Sequence, residues 1–69
     1  MITASQVLID NQVTYKYIGT ARSGALESSS EWTIVRLKLS GQEVTEIKWA
    51  DGQRDPVHIW DDRASLVYK

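Results

Sequence analysis

The sequence predicts an all-β fold, a small and mostly antiparallel sheet or barrel-like domain with long loops and at most a helical turn. Two runs rich in β-branched and aromatic residues, WTIVRLKL and VTEIKWA, flank the Gly-containing turn SGQE, the pattern of a hairpin. A third run, VTYKYIG, alternates apolar and polar residues and stops at Gly19. Asp51-Gly52 and Asp55-Pro56 then punctuate the C-terminal third, the first as a turn and the second by driving Asp55 toward extended backbone.

The chain divides into residues 1–12, an N-terminal arm or first strand, and residues 13–69, a single small β domain. In the first part the apolar run Val7, Leu8 and Ile9 is stopped by the turn-favouring pair Asp10-Asn11. Val13, Tyr15 and Tyr17 of the next run share one face by alternation. From Thr20 to Glu31 the segment TARSGALESSSE holds one Gly and five Ser or Thr, so it reads as a loop with room for one helical turn near residues 25–28.

With Gly41-Gln42 as the centre of a type II′ turn, Ser40 faces Glu43 and Leu39 faces Val44. Counting outward, Leu37 then opposes Glu46, Arg36 opposes Ile47 and Ile34 opposes Trp49. In that register one face of the hairpin carries Trp32, Ile34, Ile47 and Trp49, and the other Val35, Leu37, Leu39 and Val44, diluted by Glu46 and Lys48. Beyond the hairpin, VHIW and a last strand within ASLVY bracket a corner.

A chain of 69 residues buries only about 60% of its unfolded surface. Such chains lean on disulfides, metals or association. Cysteine is absent and there is a single His, which leaves oligomerisation or docking as the expected support. The second apolar face is then either a docking surface formed by Val35, Leu37, Leu39 and Val44, or is covered by the N-terminal segment. A net charge of −1 with interleaved signs supplies no field for nucleic acid or anionic lipid. No basic segment followed by an apolar run marks the N-terminus as an export signal.

Candidate chemistry is sparse. Asp61 and Asp62 are adjacent, so their side chains diverge and do not converge on one substrate bond as a general acid and base must. Trp60, Asp61, Asp62 and Arg63 read instead as a structural corner, with an Asp capping backbone N–H groups and pairing locally with Arg63, worth about 0.5–2 kcal/mol if Asp62 is the cap. Asp51, Asp55, His58, Asp61 and Asp62 fall close together in sequence but lack calcium-loop spacing and a second transition-metal ligand. No nucleophile elbow or phosphate-binding loop occurs. The expectation is a non-enzymatic protein with no cofactor, metal or small-molecule substrate. The three Trp and three Tyr belong in its core, any exposed Trp being an anchor for a protein partner.

Four pieces in order, Tyr17-Ile18-Gly19 with Ala21 and Gly24, Trp32-x-Ile34-x-Arg36-Leu37, Trp49-Ala50-Asp51-Gly52, and Trp60-Asp61-Asp62-Arg63-Ala64-Ser65-Leu66 with Tyr68, carry a resemblance over residues 15–68. The chain resembles short, largely uncharacterised proteins encoded beside the head and tail genes of tailed bacteriophages and prophages. Members of that group tend to have a Pro at the position of Ser23 and an aromatic at that of Pro56, so the loop before Trp60 is expected to pack differently here. The resemblance implies a virion component (head decoration, neck or tail) that binds other virion proteins or itself, located in the virion and in the host cytoplasm during assembly. The alternative is a phage-encoded inhibitor or regulator of a host protein.

Overall fold

The computed structural model describes residues 5–69. Residues 1–4 of the expected arm or first strand lie outside the described residues. The rest is a four-stranded antiparallel meander: β1 (Ser5–Asn11), β2 (Tyr15–Arg22), β3 (Thr33–Ser40) and β4 (Glu43–Trp49), in spatial order β1-β2-β3-β4. The only helical element among the described residues is a 3-10 turn at Trp60–Asp62. The fold is all-β.

One face of the sheet is covered and carries the core. Leu8, Tyr17, Gly19, Ala21 and Ile34 point to it, as the pairs Leu8↔Gly19, Tyr17↔Arg36 and Gly19↔Ile34 require, since opposed residues share a face. Their cover is the C-terminal segment, which brings Trp60 and Tyr68 onto Tyr17, Trp32 and Ile34. Trp32 and Ile34 are fully buried. The Trp32 and Trp60 rings meet at 5.8 Å and those of Tyr17 and Tyr68 at 5.7 Å, both tilted, the geometry aromatic quadrupoles favour.

Along β2 the inward side chains shrink from Tyr15 and Tyr17 to Gly19 and Ala21, and the reason is Trp60. A Cβ on Gly19 would run into the Trp60 ring and crowd Trp32. The strand tolerates glycine here because the indole occupies the volume a side chain would fill.

The covering segment is tied down by two isolated bridges in place of a strand. Trp32 and His58 exchange backbone hydrogen bonds of 2.9 and 3.0 Å, and Ala50 bridges Tyr68, flanked by bonds from Asp51 N–H to the Val67 carbonyl and between Trp49 and Lys69. The last strand expected within ASLVY is thus a stub at the edge of β4.

Three further expectations are corrected. The strand starting in VTYKYIG does not stop at Gly19: β2 runs on to Arg22, because Ala21 is an inward core position and Thr20 and Arg22 still pair with β1. Val13 lies before the strand and is 92% exposed, so only Tyr15 and Tyr17 share the covered face. The third correction is the hairpin register. Gly41 has φ +63, as the first central residue of a type II′ turn requires, and Ser40↔Glu43 and Leu39↔Val44 pair as expected. A bulge then inserts Thr45, whose hydroxyl donates to the Lys38 carbonyl, and every later pair shifts: Lys38↔Glu46, Leu37↔Ile47, Arg36↔Lys48 and Val35↔Trp49. The shift sets Leu37 against Ile47, Val35 against Trp49 and Lys38 against Glu46, where the regular register would set Leu37 against Glu46 and Arg36 against Ile47.

Gly19→Ala is expected to lower unfolding free energy by about 1–3 kcal/mol through overpacking against Trp60. Trp60→Ala is expected to cost about 3–5 kcal/mol. Chemical denaturation followed by circular dichroism checks both, and a Gly19→Ala protein as stable as the parent would contradict the close packing.

Candidate functional site

The two features singled out from sequence lie on different sides of the sheet. Trp60, Asp61, Asp62 and Arg63 sit over the covered face. Val35, Leu37, Leu39 and Val44 sit on the other.

At the corner the buried Trp60 anchors the 3-10 turn, and the residue that ties it to the sheet is Arg63. Its guanidinium lies 4.6 Å from the Trp60 ring centroid, its Nη1 donates to the Trp60 carbonyl at 3.1 Å, and its Nε donates to Asp10 Oδ2 of β1 at 2.9 Å. Tyr68 O–H donates to the Arg63 carbonyl at 2.7 Å. Burial pushes the Tyr68 phenol well above its ordinary range, with Tyr17 adding to the effect.

The expected local pair between Arg63 and a preceding Asp is not formed, since Arg63 reaches across to β1 instead. The expected Asp side-chain cap is not formed either. Asp61 and Asp62 are exposed and serve through their backbones: Asp61 N–H donates to the Glu27 carbonyl, and the Asp62 carbonyl accepts from Ser65 N–H and Oγ.

Of the five residues close together in sequence near His58, two meet. His58 Nε2 donates to Asp51 Oδ2 at 3.0 Å, with Asp51 in the left-handed region at φ +53 where Asp is tolerated. His58 is buried and its Nδ1 has no hydrogen-bond partner among the described residues. No group of three or more His, Asp or Glu converges among the described residues.

The opposite face is where the molecule departs from a closed fold. Val35, Leu37, Leu39 and Val44 line it, and the bulge adds Ile47 and Trp49, which the regular register had assigned to the core side. Ile18 of β2 opposes Val35, and Val7 and Ile9 of β1 extend the same face. The N-terminal strand therefore widens this surface in the plane of the sheet and does not fold over it. None of these side chains is buried, and Val7, Ile9, Val44 and Ile47 are between 49% and 61% exposed. The Arg54 guanidinium, 4.9 Å from the Trp49 ring centroid, stacks at the rim. At the end with the β1–β2 and β3–β4 turns, an open depression of about 490 Å³ continues the face between Gln12, Lys16, Leu39 and Gln42.

Reasoning from sequence missed Val7, Ile9, Ile18, Ile47 and Trp49 as members of this surface. For β4 the usable signal was the mismatch of Glu46 against Leu37 in the regular register, which a one-residue bulge removes. The size of the surface bears on its meaning: a broad apolar sheet face is uncommon on a protein that works alone.

No family model, curated protein or solved structure matches this chain. Functional inference rests on the surface itself.

Asp62→Ala is expected to change stability by less than about 0.5 kcal/mol, as for an exposed side chain without partners. Arg63→Ala is expected to lower it by roughly 1–2 kcal/mol through loss of its bond to the Trp60 carbonyl and its ring stacking. Urea midpoints of the two variants decide between them.

Acid should also weaken the fold. Asp10, hydrogen-bonded by Gln12 and Arg63, Glu31, by Arg22 and Ser29, and Glu46, by Lys48, all have carboxyls held below their ordinary range. Each binds its proton more tightly when unfolded, so its contribution is complete above the ordinary carboxylate range and is lost as pH falls through the folded value. Urea midpoints are expected to drop below about pH 4, less steeply in Asp10→Asn.

Proposed function

We propose that this chain is a non-enzymatic structural protein of a tailed bacteriophage, a small virion component of the head surface, neck or tail that acts by binding neighbouring subunits in a multi-copy assembly. The observation that carries the reading is the open apolar face. Nine apolar residues across all four strands, Trp49 among them, meet water where a second layer would complete a core. A protein that functions in isolation has every reason to place polar residues there, as antiparallel sheets with one wet face do. The sequence resemblance to proteins encoded beside head and tail genes supports the same reading and adds the virion as its location, reached from the host cytoplasm during assembly.

Binding by such a face is surface complementarity without covalent chemistry. A half-buried tryptophan amid aliphatic side chains is the residue type and setting of an interface anchor. Repetition of one modest contact in a symmetric particle turns weak pairwise affinity into a stable whole, which suits a domain of this size.

Quantitative peptide mass spectrometry on purified particles of the encoding phage is the test. The chain is expected in multiple copies per particle, and Leu37→Lys, which charges the open face at an outward position, is expected to deplete it from particles by at least tenfold. Absence of the parent chain from purified particles, with recovery bound to a host protein from infected cells, would overturn the virion reading in favour of a host-directed inhibitor.

A further inference from the structure

We infer that the open face is an interface between two copies of this chain, which pack sheet against sheet into a two-layer sandwich whose second core is formed by Ile18, Val35, Leu37, Ile47 and Trp49 from each copy. This rests on the reading of that face as a binding surface and names its occupant.

Charge argues for a copy of the same chain. Among the described residues the face carries three charged side chains, Lys16 near the β1–β2 turn, Arg22 at the far corner and Arg54, stacked on the Trp49 ring at the rim. Arg22 is already paired with Glu31, and a lysine at the end of a strand can lift its ammonium into water along its stem. The centre between them is free of charge. That uncharged centre offers nothing for a charged partner to read, and burying a partner's unpaired charge against it is costly. An equally apolar face meets it without that penalty, and its own copy is such a face at equal concentration.

Area argues the same way. Four strands about 4.8 Å apart, each seven to eight residues at about 3.3 Å per residue, give a footprint of roughly 450 Å². Two such faces, with the relief of their side chains, come to the order of 1,000–1,200 Å², the lower limit for a specific interface. That supports a small interface and a dimer which dissociates on dilution. The geometry suits aligned packing, with the sheets about 10 Å apart and their strands within about 30° of one another. The isologous arrangement closes on itself and leaves the covered faces, with their C-terminal segments, outermost.

Sedimentation equilibrium over about 1–500 μM, paired with tryptophan emission, tests the assignment. Trp32 and Trp60 are buried in each copy, so Trp49 is the indole whose surroundings change on dimerisation. The parent chain is expected to pass from monomer to dimer with a blue shift of emission. Ile47→Lys, at a position 61% exposed in the single chain, is expected to weaken association at least tenfold while circular dichroism stays unchanged. Leu37→Lys gives a second variant on the neighbouring strand should the first disturb folding.

A folded parent chain that is monomeric at 500 μM would overturn the assignment. A dimer undiminished in both variants would also overturn it and move the contact to the free edge of β1. These outcomes are separable from failure of the proposed function. Monomeric protein that is still incorporated into particles through the same residues leaves the virion reading intact and makes the occupant another subunit. A dimer that is absent from particles leaves the sandwich intact and removes the virion reading.

Discussion

The contact between Trp60 and the backbone of Gly19 holds the architecture together. A meander of four strands has one layer, and a layer needs another against it. Among the described residues the last twenty supply most of that cover, with Ala25 of the β2–β3 loop beside them, and in them a 3-10 turn and two bridges stand in for regular structure. A segment so poor in ladder hydrogen bonds must be held by side chains. Trp60 does most of this by lying where β2 has no side chain, in contact with Trp32 at the start of β3. Once it is seated, Arg63 is within reach of Asp10 on the far strand, and Tyr68 can close over Tyr17 with Arg36 between its ring and that of Tyr15, at 4.7 and 4.4 Å from the two centroids. The small residues of the core, Gly19, Ala21, Ala25 and Ala50, leave the volume that these rings fill.

Much of this was legible in the residues because it is local. The turn at Gly41-Gln42 needs only a residue that accepts positive φ, and the alternation in TIVRLKL needs only a sheet with two different faces. The strand β2 was legible as far as Gly19 and no further. A glycine punctuates a strand when read alone, and it becomes an interior strand position only when an indole forty-one residues later takes its side-chain space. The extra residue in β4 escaped for a similar reason. Nothing in EVTEIKW announces a bulge until it is laid against β3, where Glu46 finds Lys38 and Ile47 finds Leu37.

The corner and the open face show the same division. The density of charge in WDDR was legible, but charge density alone does not say which member carries the contacts. Arginine, with a planar fork that bonds a carbonyl and a carboxylate while stacking on a ring, does what the two short carboxylates beside it do not. In the open face Val35, Leu37, Leu39 and Val44 were legible as a set from one hairpin. Val7, Ile9 and Ile18 were not, because their membership depends on β2 pairing with β3 and on β1 lying beside β2 in the sheet, where it could equally have folded over. The N-terminal strand settles the character of the molecule by where it lies.

The bulge at Thr45 makes pairing register a determinant of surface chemistry. A strand's side chains alternate, so absorbing one residue in a bulge decides which face everything beyond it in β4 takes. With Thr45 kept but paired in a regular ladder, β4 would carry Ile47 and Trp49 toward the C-terminal segment and turn Glu46 and Lys48 outward, and the apolar surface would break into a polar and apolar mosaic. The amphipathic character of the sheet is thus set by register as much as by composition, and the same residues in an unbroken ladder would make a differently mannered protein.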